Sequence, residues 1–136
     1  MNLTLGAQEY SAFGKLDAFA QLHIARKLGP ALPIVEGLVS AENAGKSKSL
    51  LIVLMLSHIN DTDTEYVVKK CLSVVGRKQV SGQFAKIQSA DGSLMFDDIS
   101  MSDLLELTVA VIEENLGDFF RTALADLAQA EKNLSS

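Results

Sequence analysis

Thr62-Asp63-Thr64-Glu65-Tyr66-Val67-Val68-Lys69-Lys70-Cys71-Leu72-Ser73-Val74-Val75-Gly76 is the stretch on which the fold class turns. Its first four residues form a capping box, in which the Thr62 hydroxyl and the Glu65 carboxylate can reciprocally satisfy two amides left unpaired in a first helical turn. Tyr66, Val68, Cys71, Leu72 and Val75 then fall near helical spacing, and Gly76 supplies a stop. The stretch therefore predicts one helix ending at Gly76.

The flanking segments extend that reading in both directions. Leu50 to Ile59 is apolar nearly all round and predicts a helix at the centre of the core, a buried strand being the other reading. Before it, Asn43 to Ser49 reads as a loop, and Pro33 suits the first turn of a short helix with Val35, Leu38 and Val39 inward. Asp17 can cap a helix running to Leu28, which Gly29-Pro30 ends. Residues 2–13 read as a small hairpin, with Leu3 and Leu5 alternating with polar neighbours and Gly6-Ala7 as the turn.

Downstream, Val80 to Ile99 fits a short hairpin or ordered loop in which Phe84 and Ile87 face Leu94 and Phe96 across Asp91-Gly92. Ser100-Met101-Ser102-Asp103 is a second capping box, followed by Leu104, Leu105, Thr108, Val111, Ile112 and Leu116, with Gly117 as the stop. Asp118 then restarts a last helix whose stripe is Phe119, Phe120, Ala123, Leu124 and Leu127, fraying from Asn133. The expectation is a mainly α fold: residues 1–136 as one helical domain of five or six helices, with an N-terminal β-hairpin and a mid-chain hairpin.

Composition narrows the function classes. The 136 residues, 48% of them hydrophobic and 21% charged, match the size and make-up of one globular domain. Twelve basic residues against 17 acidic give a net charge of −5, which opposes sequence-independent binding to a phosphate backbone. The imbalance lies in the second half: Met1 to Lys78 carries 9 basic and 7 acidic residues, Gln79 to Ser136 carries 3 and 10. One cysteine cannot form an intrachain disulfide, and the opening residues do not resemble a secretory leader, so a reducing cytosol is expected. The longest apolar run, Leu50 to Leu56, is far short of the roughly 20 residues a membrane-spanning helix needs.

Motifs that carry chemistry are incomplete. Ser40-Ala41-Glu42-Asn43-Ala44-Gly45-Lys46-Ser47 imitates a phosphate-binding loop, but Ser40 stands where the first glycine belongs. Moreover, Leu50 to Asp61 would have to serve as both the loop's helix and the following strand, so the segment reads as a solvated loop. His23, His58 and Cys71 contain no pair at helical ligand spacing, and His23 and Cys71 each read as structural. Cys71 or a serine with His58 and Asp61 lacks any nucleophile signature. Asp97-Asp98 and Glu113-Glu114 are adjacent acids that point apart, and read as caps or surface. Arg26-Lys27, Lys69-Lys70 and Arg77-Lys78 read mostly as complements to helix C-termini. No catalytic residue, cofactor or metal site is expected.

Three segments together resemble the tail assembly chaperones of tailed bacteriophages. They are Phe13-Gly-Lys-Leu-Asp-Ala-Phe-Ala-Gln-Leu-His-Ile-Ala-Arg-Lys-Leu-Gly-Pro30, Leu94-Met-Phe-Asp-Asp-Ile99 and Val111-Ile-Glu-Glu-Asn-Leu-Gly-Asp-Phe-Phe120. The resemblance implies a small, mostly helical, non-enzymatic protein of the host cytoplasm, absent from the finished virion. It would hold the tape measure protein soluble and help tail tube subunits gather on it. A long apolar client would be met by helix-in-groove burial, and Phe19, His23, Phe119 and Phe120 are the candidate client or self-association residues, against the reading that all four fill the core. The alternative from another class is a small regulatory or nucleic-acid-binding protein with a helix-turn-helix over Asp17 to Leu38, which the net charge disfavours.

Overall fold

Leu5 and Gln8 pair across Gly6-Ala7, and Gly6 adopts a φ of 60°, the conformation a two-residue hairpin turn asks of its first central residue. The expected N-terminal hairpin is thus present as β1 (Asn2–Leu5) and β2 (Gln8–Ala12) in a computed structural model that describes residues 1–12, 14–33 and 48–135. The hairpin does not stand alone. β2 pairs antiparallel with β3 (Val75–Lys78), which pairs antiparallel with β4 (Phe84–Lys86), giving one sheet in the order β1-β2-β3-β4.

This sheet corrects the mainly α expectation. The helix predicted over residues 62–76 is two elements, a helix over Asp61–Leu72 and then β3. The helix also starts earlier than the Thr62 capping box implies: Asn60 is the cap, its side-chain oxygen accepting from the Asp63 amide at 2.8 Å. Gly76 is no stop but the middle of a strand, opposite Ser11 on one side and Lys86 on the other. Val74 and Val75 are β-branched and fit a pleated surface as well as a helix. Two flanking strands that can satisfy the backbone on both edges decide the matter, and that pairing is invisible at helical range.

A second signal went with it. Gln79 donates its amide to Gln83 O at 2.7 Å, and Gly82 takes a φ of 89°, so Val80-Ser81-Gly82 is a three-residue hairpin loop joining β3 to β4. The same design recurs at Ala90-Asp91-Gly92, where Ser89 donates to Ser93 O at 2.8 Å and Gly92 has a φ of 90°. There the mid-chain hairpin exists in its short form, bridging Gln88 to Leu94, with the Met95 amide donating to Ile87 O at 2.7 Å. Ile87 is fully buried, but Phe84 lies opposite Lys78 instead of Leu94.

Four α-helices are present among the described residues, not five or six: α1 (Ala18–Leu28), α2 (Lys48–Ser57), α3 (Asp61–Leu72) and α4 (Met101–Ser135). α1 starts on Asp17, which accepts from the Ala20 amide at 2.7 Å, and runs into a 3-10 turn at Gly29–Ala31. α4 starts on the second capping box, with Asp103 N donating to Ser100 Oγ and Ser100 N donating to Asp103 Oδ2. It then passes straight through Gly117 for 35 residues, about 50 Å at 1.5 Å per residue. A glycine inside a helix costs about 1 kcal/mol, less than the burial of Leu116 and Phe120 on either side returns. Asp118 pairs with Arg121 along the helix surface and caps nothing.

α2 is helical as expected but not buried all round, since Ile52, Met55 and Leu56 face inward while Val53 is exposed. The short helix expected after Pro33 and the phosphate-loop look-alike at 40–47 lie outside the described residues, as does most of the loop expected over 43–49; Lys48 and Ser49 already belong to α2. α4 packs along α2 and α3, and the core fills the space between these helices, α1 and one face of the sheet. Tyr10 and Val75 supply that face, with Leu3 and Leu5 half-buried at its β1 edge, while Ile24, Met55, Val67, Leu107, Ile112 and Phe120 meet them from the helices. The architecture is a mixed α/β one.

Candidate partner-binding face

α1 is amphipathic in an unusual sense. Ala20, Ile24 and Leu28 recur at i, i+4, i+8 and are buried. Phe19, Leu22, His23 and Arg26 recur at i, i+3, i+4, i+7 and form a second, exposed stripe. Phe19 is 75% exposed, a large aromatic surface that ordinary folding would hide. The helix is held from both ends of its first turn: Gln21 Nε2 donates to Leu16 O at 2.8 Å, and the Leu16 amide donates to Asn115 Oδ1 at 3.2 Å. Asn115 in turn donates to Val111 O within α4. The N-terminal end of α1 therefore meets α4 one turn before Phe119.

Phe119 and Phe120 part company at that point. Phe120 is fully buried, whereas Phe119 is 56% exposed and stands edge-on to it, ring centroids 5.4 Å apart. Of the four residues singled out in the sequence, Phe19, His23 and Phe119 are exposed and Phe120 belongs to the core. Leu22, also exposed, joins the α1 stripe; its spacing three residues after Phe19 was the available signal.

His23 stands edge-on to Tyr66 of α3 at 6.2 Å. Lys27 lies 4.8 Å from the centre of the same ring and bonds Asp63 Oδ1 at 2.9 Å, so its charge is already matched. A cleft of about 500 Å³ opens between α1 and the α2–α3 connection, bringing His23 and Arg26 together with His58 and Asn60. Sequence spacing could not pair His23 with His58, because they sit on different elements. Among the described residues, no three His, Cys, Asp or Glu side chains converge as a metal site.

Cys71 lies apart from His58 and Asp61 in exposure: it is fully buried, and burial pushes its thiol up to about 12, while both of the others are exposed. The acidic pairs separate as well. Asp98 binds Arg77, and Glu114 binds the Met1 amino group at 2.9 Å. Arg26 and Lys27 end α1, and Lys69 and Lys70 end α3, where they complement the helix dipole. Arg77 and Lys78 are on β3 instead, with Lys78 bonding Glu9 at 3.1 Å. No helix among the described residues is long and apolar enough to cross a membrane.

The family model described as phage tail assembly chaperone protein, TAC, matches residues 6–128. That match runs from the β1–β2 turn through α1, the whole sheet connection and most of α4. Comparison with curated proteins and with solved structures finds no match. With all but the two ends of the chain covered by that one model, the chain belongs to the phage tail assembly chaperone family.

Proposed function

We propose that this chaperone of tail assembly works by binding the tape measure protein, keeping it soluble and helping tail tube subunits gather on it. The observation that carries the reading is exposed apolar and aromatic surface: Phe19, Leu22 and His23 in the α1 stripe, and Phe119 on α4, the helix that the start of α1 meets at Asn115. Phe19, His23 and Phe119 are the contact residues, and Phe120 supports them from the core. A long apolar helix of the client would lay its own stripe on this face, burying surface worth about 25 cal/mol per Å² against aggregation of the free client. Association of this kind needs no bond-making chemistry, in keeping with a non-enzymatic protein acting in the host cytoplasm and left out of the mature virion. The same face is suited to self-association when no client is present.

The test is co-expression with the tape measure protein of the same genome. The expected result is a soluble complex with the wild-type chain that is lost with Phe19→Ser combined with Phe119→Ser, both variants folding as shown by circular dichroism. A tape measure protein equally insoluble with and without the chain would overturn the client reading.

A further inference from the structure

β1 is the edge of the sheet, paired with β2 on one side and, among the described residues, with nothing on the other. Its start is pinned to α4 by the bond between the Met1 amino group and Glu114. Beside it a groove of about 610 Å³ lies between β1, α2 and α4. Its apolar walls are Leu3 and Leu5 of β1, Val53 of α2, and Leu105 and Val109 of α4, and both of the charged side chains lining it are acidic, Glu106 and Glu113. We propose that this edge takes an additional strand from a partner protein, an extended segment of alternating apolar residues with lysine or arginine at its ends.

Three features specify that occupant. An unpaired strand edge offers backbone amides and carbonyls at the spacing only another extended chain can match, whereas a helix laid in the groove would leave them unpaired. A fifth strand continuing the sheet would turn every second side chain toward the groove wall that the half-buried Leu105 and the exposed Val53 supply, as Leu3 and Leu5 turn toward the helices one strand earlier. From Leu105 to Glu113 the helix rises about 12 Å, room for about four residues of extended chain. Charge selects the source. In a second copy of this chain the strand on offer, Asn2-Leu3-Thr4-Leu5, carries no lysine or arginine to meet Glu106, while a segment with basic ends gains there. This edge is separate from the α1 stripe, so either interface can fail alone.

The experiment uses the full chain and a fluorescent heptapeptide of alternating valine and threonine with a lysine at each end, read by anisotropy. Saturable binding is expected. It should weaken at least tenfold when the lysines become aspartates, when Glu106, an exposed residue, is changed as Glu106→Lys, or when the peptide backbone amides are N-methylated. No binding of the parent peptide, or equal binding of the N-methylated form, overturns the proposal. So does sedimentation showing a dimer that the peptide does not dissociate, since a second copy would then hold the edge.

Discussion

Arg77 grips Asp98 with both arms, Nη1 to Oδ1 at 2.6 Å and Nη2 to Oδ2 at 3.0 Å, tying an inner strand of the sheet to the residues that lead into α4. The same guanidinium donates through Nε to Gln8 Oε1 at 3.1 Å and lies 4.4 Å from the centre of the Phe96 ring. One side chain thus joins β2, β3 and the connection to the capping box. Asp98 stands two residues before Ser100, so this fork also helps set where the long helix begins.

The pair makes stability depend on pH in a definite direction. The Arg77 hydrogen bonds hold the Asp98 carboxyl below the ordinary carboxylate range. A depressed folded value means that the stabilisation is present above the unfolded pKa, near 4, and is lost as pH falls through the folded one. Asp98→Asn should lower the melting temperature near neutrality and flatten its fall in acid, so that variant and wild type converge once the pH has fallen below the folded value of Asp98. Melts followed by circular dichroism from neutrality to acid check this.

The adjacent phenylalanines should behave as different kinds of residue. Phe120→Ala removes a fully buried ring and should cost about 3–5 kcal/mol. Phe119→Ser removes one that is 56% exposed, and should change stability by roughly 1 kcal/mol or less. Urea unfolding of both variants measures the difference. A similar loss for the two would contradict the exposure of Phe119.

Cys71 predicts a loss of stability in alkali. Its thiol is held at about 12 in the fold by burial, while an unfolded cysteine ionises near 8.5. A raised folded value is fully stabilising below the unfolded pKa and is lost as pH rises toward the folded one. Stability should therefore fall between about pH 8.5 and 12, and less so in Cys71→Ala after allowance for the lost packing. In the native protein a thiol reagent at neutral pH should react at the rate of unfolding, and rapidly once denaturant is added.

The two glycine-closed loops should resist substitution for a conformational reason. Gly82→Ala has open space around the added methyl but forces an L residue to a φ of 89°, at about 1 kcal/mol or more. Gly92→Ala adds a contact of 3.3 Å to Lys69 Cδ, the flexible part of a side chain, so the two variants should differ little. Chemical denaturation of each gives the comparison.

Where structure depends on neighbours within one turn of chain, the sequence by itself determined it. Gly6-Ala7 closes the first hairpin, Asp17 starts α1, and Ser100 with Asp103 starts α4, because each signal is a hydrogen bond or a φ angle spanning at most three residues. The exposed candidates Phe19, His23 and Phe119 were legible as chemistry-free aromatic positions, but not as surface. Only the tertiary structure decided that Val75-Gly76-Arg77-Lys78 is a strand, since the groups that pair with it are some 65 residues earlier in β2. Only packing carried α4 through Gly117, and only packing chose between Phe119 and Phe120. Consecutive residues on a helix point about 100° apart, and which of them faces the core is settled by where α1, α2 and α3 lie against α4, long-range contacts that no local period encodes.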